Sequence, residues 1–431
     1  MMQRARPAFV AAVLEVLSSP RLAWTLSVVS IMTALLTTFI SSLIGWPGLI
    51  AIVVGLVLLS AGVLVASREF IEWQGLLPIS LLAFLGWSLL SVAWSQYQWA
   101  SLGAVAYQFA FAFIGVTLAL TRDTIQIVRG FGDCLRIVLA ASLAIEVFAG
   151  LIIDSAIPGL GIQGNLGVGG PIQGLVGSRN AMGLVALLAI VTFAVEYRTR
   201  SVRRGIAIGS LVGAGLTVLF TQSPVVTGVT VVVMAAMGTI AILRRSTPER
   251  RIVIQSVFAV AVVVGTIATY LGRSQVISLL NAASESEYRI DLWRRLGTLI
   301  QQHLIEGWGW IGAWNTDIVP FSLIRNSRGG QHGSALNGFV DVAFQLGIVG
   351  LLLFMVLVGL AFVRSWILAG RQHSSAVVWC ALVLVALITL SLAESAILTD
   401  IGWLILVIAS VTGARQLSWR GRFAPRDASG A

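Results

Sequence analysis

Residues 331–354 read QHGSALNGFVDVAFQLGIVGLLLF. His332 stands at the head of this segment, and Asn337, Asp341 and Gln345 follow at four-residue intervals. On a helix that spacing puts the three polar groups on one face. Polar side chains entering a membrane turn toward the bundle interior or a water-filled cavity. His332 lies one turn before position 336 and shares that direction if the helix starts early. Imidazole is the side chain that serves as a base near neutral pH without a large shift. The same residues also read as a solvated loop histidine above a stripe that joins helices. Arg289 precedes Trp293 by one turn. Its planar fork of donors suits phosphate oxygens and keeps its charge. The plainer role is a rim ion pair with Glu285 or Asp291, and this is preferred for Arg294 and Arg295. Arg179 and Asn180 follow the Gly-rich stretch 154–178, which makes either an anion cradle or an interface-anchoring charge. Glu146 lies in mid-segment, where a carboxylate marks function by default or bonds Gln108 or Tyr107.

These residues must be positioned by apolar helices. The chain has 431 residues, 57% hydrophobic and 11% charged, too apolar for a soluble protein. Twelve apolar segments lie near 22–44, 48–66, 75–94, 101–120, 134–153, 179–196, 205–221, 224–243, 252–271, 338–363, 376–393 and 398–414. Most approach the ~20 residues a helix needs to cross hydrocarbon. The expected fold is therefore all-α: a polytopic membrane helix bundle of about 12 transmembrane helices, with one large outer loop carrying an amphipathic helix. All 28 basic residues are Arg. With both termini cytoplasmic, 21 of them flank the inner ends of spans and seven lie outside. Six of those seven fall in residues 272–337. The organisation expected is a cytoplasmic or interfacial segment 1–21, spans within 22–271, the outer loop 272–337, spans within 338–414 and a cytoplasmic tail 415–431. The location expected is a bacterial cytoplasmic (inner) membrane.

The net charge of +10 does not call for a nucleic-acid partner, because the Arg stand in short clusters at helix ends where anionic lipids explain them. Cys134 and Cys380 fall near inner ends of spans and form no CxxC motif. His303, His332 and His373 are too few and too scattered for a buried multi-His metal site. Within the long loop, Ser284 and Glu287 form a capping box. Ile290, Trp293, Leu296, Leu299 and Ile300 then recur at helical spacing, and Gly307 stops the helix. Trp46, Trp94, Tyr97, Trp99, Trp308, Trp310 and Trp314 read as an interfacial belt or as stacking surfaces for sugars.

Over residues 85–365 the layout resembles the O-antigen ligase and O-antigen polymerase superfamily of bacterial membrane glycosyltransferases. The family's outer-loop pattern, Arg then Trp, a helix, His-Pro and a Gly-rich turn, is matched by Arg289, Trp293, His303, Gly307 and Gly309, with Leu304 in place of the Pro. Its His-Asn pattern followed by Gly-x-x-Gly is matched by Asn337, Gly347 and Gly350. Leu336 stands where the family has its His, and the nearest His is His332. GLVGSRNAMG is similar to the family's motif ending in a basic residue and Asn, here Arg179 and Asn180. At the Ser-Arg position the chain has Ser223 and Pro224. The resemblance implies a metal-independent, inverting transfer that needs no cofactor. A glycan would move from a polyprenyl-pyrophosphate donor to a sugar hydroxyl of a glycolipid or growing glycan. Arg289 and Arg179 would bind the pyrophosphate and His332 would be catalytic, with Asn337, Asp341, Asn180 and Trp293 in support.

Two rival classes remain at the level of sequence: a transporter or flippase of glycan precursors or small anions, and a non-catalytic envelope-assembly scaffold. A transporter needs coupling residues at mid-membrane, where Glu146 is nearly alone. The Arg asymmetry predicts that, with cysteine introduced at either position, an impermeant thiol reagent applied outside modifies Ser286→Cys but not Ser201→Cys. The reverse labelling pattern would invert the topology.

Overall fold

The computed structural model describes residues 15–68, 77–279, 283–324, 333–372 and 374–417. His332, Arg325, Arg328 and His373 lie outside the described residues, as do most of the N-terminal segment 1–21 and nearly all of the tail 415–431.

The described residues fold into helices: α1 (Pro20–Leu35), α2 (Thr37–Ala66), α3 (Ile79–Leu90), α4 (Gln98–Thr121), α5 (Thr124–Val147), α6 (Arg179–Thr199), α7 (Arg204–Thr221), α8 (Pro224–Arg245), α9 (Pro248–Leu271), α10 (Arg273–Leu279), α11 (Ala283–Gln302), α12 (Gly338–Arg371), α13 (Ser375–Leu390) and α14 (Asp400–Gln416). Eight helical stretches among the described residues are long and apolar enough to cross a membrane, and three shorter apolar helices accompany them. The short α13 and α14 are the most enclosed, packed by α4, α6, α8 and α12. Helix α9 buries none of its apolar window.

Several boundaries differ from the sequence expectation. The first break falls at Leu36, and the expected boundary near 45–47 is a kink inside α2, where Gly45 has φ 73° ahead of Pro47. Helix α5 begins ten residues before the expected 134, because Asp123 and Gln126 form a capping box. Arg129 and Arg136 therefore lie along that helix, and Arg136 pairs with Asp133 and Glu196. The 154–178 stretch is irregular, as its Gly and Pro content predicts, with short turns at Pro158–Leu160, Asn165–Val168 and Gly174–Val176. Glu146 does not reach Gln108 or Tyr107; its Oε1 accepts from the amides of Gln173 (2.7 Å) and Gly174 (2.8 Å) and so holds this stretch down. Tyr107 instead donates to Asp400 (2.6 Å).

The described residues of the long loop fold around an apolar cluster, which includes Leu292, Leu296, Ile311, Trp314, Phe321 and Phe344. Leu292 takes the buried place expected of Ile290, which is exposed. Trp310 and Trp314 are buried too, so they belong to neither an interfacial belt nor a sugar platform. The seat of this loop is a break in α12. Gly347 has φ 66° and ψ −169°, which interrupts the helical ladder. The freed carbonyls of Phe344 and Gln345 accept from Trp308 N (3.2 Å) and Gly309 N (2.8 Å), and Ile348 N donates to Leu304 O (2.8 Å). Only glycine permits this approach. A Cβ at Gly347 would stand 2.1 Å from Ile305 O, and one at Gly307, whose φ is +72°, would stand 2.4 Å from Gly347 N.

Gly347→Ala meets both an unfavourable dihedral and a backbone clash, so destabilisation by at least ~1–3 kcal/mol is expected. Gly359→Ala, on the same helix with open space around it, should change stability by less than ~0.5 kcal/mol. Thermal unfolding of the two detergent-solubilised variants compares them directly, and equal melting would remove the seat assigned to Gly347.

Candidate functional site

Helix α13 ends at Leu390 and α14 starts at Asp400, so the turn between them spans nine residues instead of the four expected. The chain leaves the helix because its carbonyls have other donors. Gly338 N bonds Ser391 O (2.8 Å) and Glu394 O (3.1 Å), and Asn337 Nδ2 bonds Leu392 O (3.0 Å). Glu394, in this turn, is the centre of the site. Its Oε1 accepts from Asn180 Nδ2 (2.5 Å) and from Arg289 Nη2 (3.3 Å). Asn180 Oδ1 in turn accepts from Ser223 Oγ (2.6 Å). Helices α6 and α11 and the 391–399 turn therefore meet on one carboxylate, and the Ser223 cap of α8 joins them through Asn180. The Arg289 and Glu394 side chains are 12% and 19% exposed. Burial raises the Glu394 pKa above the usual carboxylate range, while the bonds from Asn180 and Arg289 pull it back.

The sequence-derived candidates among the described residues fall into two groups. Arg289 and Asn180 share the Glu394 oxygen, and Arg179 is the half-buried residue next to Asn180, just inside the Ser178 cap of α6. Asn337, Asp341 and Gln345 are committed to architecture. Asn337 Oδ1 caps α12 by accepting from Phe339 N (3.0 Å) and Val340 N (3.2 Å). Asp341 is fully buried and accepts from Trp314 Nε1 (2.8 Å), Gln345 Nε2 (2.8 Å) and Ala335 N (3.2 Å). Gln345 Oε1 accepts from Ile311 N (2.7 Å) and Gly312 N (2.9 Å). The stripe thus binds the folded loop to α12. Trp293 does the same from α11, donating to Ala335 O (2.9 Å). Residues 333–336, which follow His332, are held by these bonds and by Trp314 N on Gly333 O (3.0 Å). Leu336 adopts φ +51°, uncommon for a residue with a side chain.

Arg295 makes an exposed ion pair with Asp291 (3.0 Å). His303 Nδ1 lies 2.9 Å from Glu306 Oε1 and its ring packs edge-on against Trp308, and the bond to His303 lowers the Glu306 pKa. No group of three or more His, Cys, Asp or Glu is arranged to hold a metal ion among the described residues.

Glu394 is the residue sequence reasoning missed. Like Arg179, it is a charge in an otherwise uncharged stretch, here SLAESAILT. Its apolar neighbours conceal it, because they make the turn look like a continuation of the two spans.

An apolar helix bundle whose motif residues gather beneath a folded loop defines a class, and one family model matches part of the chain. Residues 209–355 match the family model described as O-antigen ligase, and this supports the O-antigen ligase and polymerase superfamily for the chain. The match contains Ser223, Arg289, Trp293, Asn337 and Gly347, whereas Asn180 and Glu394 lie outside it. No curated protein matches the chain. The protein is thus an O-antigen ligase-like multi-pass membrane protein.

Because burial holds the folded pKa of Glu394 above its unfolded value of ~4.3, its contribution to stability is full below that value and is lost as pH rises through the folded pKa. The melting temperature of the wild type minus that of Glu394→Gln should therefore fall as pH rises from ~4 to ~8. A difference that stays constant with pH would mean the carboxyl is not shifted upward.

Proposed function

We propose that the protein transfers a glycan from a polyprenyl-pyrophosphate carrier to a sugar hydroxyl of a glycolipid or growing glycan, on the outer face of a bacterial cytoplasmic membrane. The observation that supports this reading best is the meeting of Arg289, Asn180 and Ser223 around Glu394, from segments far apart in sequence that carry or border the family-like motifs. The loop 272–337 then faces outward and both termini face the cytoplasm.

In this reading Arg289 and Arg179 bind the donor pyrophosphate. Glu394 uses one amine of the Arg289 fork and sets its orientation before the donor arrives. Two guanidinium groups stabilise the negative charge that grows on the departing pyrophosphate. His332 takes the proton of the acceptor hydroxyl as that oxygen attacks the anomeric carbon. Attack opposite the leaving pyrophosphate inverts the configuration, and the Arg charges supply the electrophilic assistance with no metal. Asn337, Asp341 and Trp293 act on this step indirectly, by fixing the segment that follows His332. A second reading gives the proton to Glu394, on the observation that its half-buried carboxylate lies at the centre of the cluster.

In a reconstituted assay with purified donor and acceptor, Arg289→Ala and Arg179→Ala should each lower transfer ~10- to 100-fold, through weaker donor binding. Lys at either position should restore only part of it, because the fork is lost. His332→Ala should bind donor normally yet lose ~10²- to 10⁴-fold in rate, while His303→Ala keeps most activity. Loss of transfer in Glu394→Gln with His332→Ala at wild-type rate would move the base to Glu394. Wild-type transfer by both Arg variants would place the donor elsewhere.

A further inference from the structure

Four helices that meet at the Glu394 site also meet at their opposite ends. Helix α6 runs from Asn180 to Arg198, α8 from Ser223 to Arg245, α12 from Asn337 to Arg371, and α13 returns from Ser375 to Leu390. At a rise of ~1.5 Å per residue the far end of α6 is roughly 27 Å from Asn180. There the helices, with the start of α9, enclose a cavity of about 300 Å³.

Five Arg line this cavity: Arg198, Arg244, Arg245, Arg251 and Arg371. Among the described residues no acidic side chain lines it. Two of the five close helix ends. Arg244 donates to Ala369 O (2.9 Å), Gln372 O (2.6 Å) and Ser374 O (2.6 Å), and Arg251 donates to Leu243 O (3.2 Å) and Ser246 O (3.3 Å). Among the described residues none of the five forms an ion pair with a carboxylate. Helix-end dipoles and insertion bias account for an Arg at the end of each helix. They do not account for five converging on one concave space, where like charges repel and a counter-anion is favoured. The remaining wall is apolar, formed by Val195, Ile240, Leu382 and their neighbours. The volume is that of a small ligand pocket.

We propose that this cavity binds a phosphate group carried on an apolar tail, a lipid phosphate of the leaflet opposite the loop-capped face. Arg198, Arg245 and Arg371 contact the phosphate oxygens, Arg244 and Arg251 hold the rim in shape, and the Val195–Ile240–Leu382 wall takes the first methylenes of the tail. The site is separate from the one that would bind the glycan donor, and its occupancy does not depend on glycan transfer.

The test is native mass spectrometry of the purified full chain in detergent, titrated with dioleoyl phosphatidic acid, with dioleoylglycerol and with inorganic phosphate. Phosphatidic acid should bind, and dioleoylglycerol, which lacks the phosphate, should not. Arg198→Gln, Arg245→Gln and Arg371→Gln should each weaken phosphatidic acid about 10-fold. Arg200→Gln, nearby but outside the cavity lining, should leave it unchanged. Ala241→Trp fills part of the cavity without removing charge, and should weaken the lipid more than inorganic phosphate. Arg245 is exposed, so its variant is expected to fold even if the others do not. Unchanged phosphatidic acid binding in Arg245→Gln would overturn the proposal. So would inorganic phosphate binding as tightly as phosphatidic acid with Ala241→Trp altering neither, which would mark a site for a free anion.

Discussion

The structure depends on an interruption. A continuous α12 would satisfy its own backbone and present a smooth apolar surface with no partner for the long loop. The left-handed residue at Gly347 releases two carbonyls and an amide, and the loop at 304–309 takes them up. Buried backbone groups that lose their helical partners must find others. Here the replacement bonds carry a whole folded segment with them. Once the loop is seated, α11 lies over the 391–399 turn and Arg289 reaches Glu394.

The polar stripe belongs to the same construction. Asp341 and Gln345 are buried, and a buried polar group without a partner costs free energy. Each is paired with a group from the loop or the segment just before α12: the Trp314 indole, the amides of Ala335, Ile311 and Gly312, and the Gly312 carbonyl. Hydrogen bonds in so dry a place specify one arrangement strongly, because every alternative leaves several groups unsatisfied. The loop is thereby held by chemistry as well as by its apolar cluster.

The two faces of the bundle use Arg differently. On the loop face, Arg289 is set against an acid and an amide, in a cluster with one carboxylate at its centre. On the opposite face, Arg198, Arg244, Arg245, Arg251 and Arg371 surround a space that no acidic side chain among the described residues lines. A paired cation can be oriented for a later partner, whereas an acid-free cluster presents standing positive potential. The same helices carry both features, one at each end.

The class of fold and much of the scaffold are legible in the order of the residues. Apolar runs of membrane length and the amphipathic spacing in the long loop are local signals, and each appears as a helix. Arg289 stood out by its charge and by its place in a family-like motif, Asn180 by such a motif, and Ser223 was noted at the family's Ser-Arg position. What those residues meet was decided by the tertiary structure alone. Glu394 was hidden because its turn is as apolar as the spans it joins, and its length depends on donors from Asn337 and Gly338, more than 50 residues away in sequence. Glu146 reads as an isolated membrane acid until the backbone of 173–174 is folded against it. Asn337 and Asp341 read as polar groups near a reaction centre, yet their partners are a helix end and a loop. Periodicity reports which face of a helix is polar; only the folded chain supplies the groups that the face is turned toward.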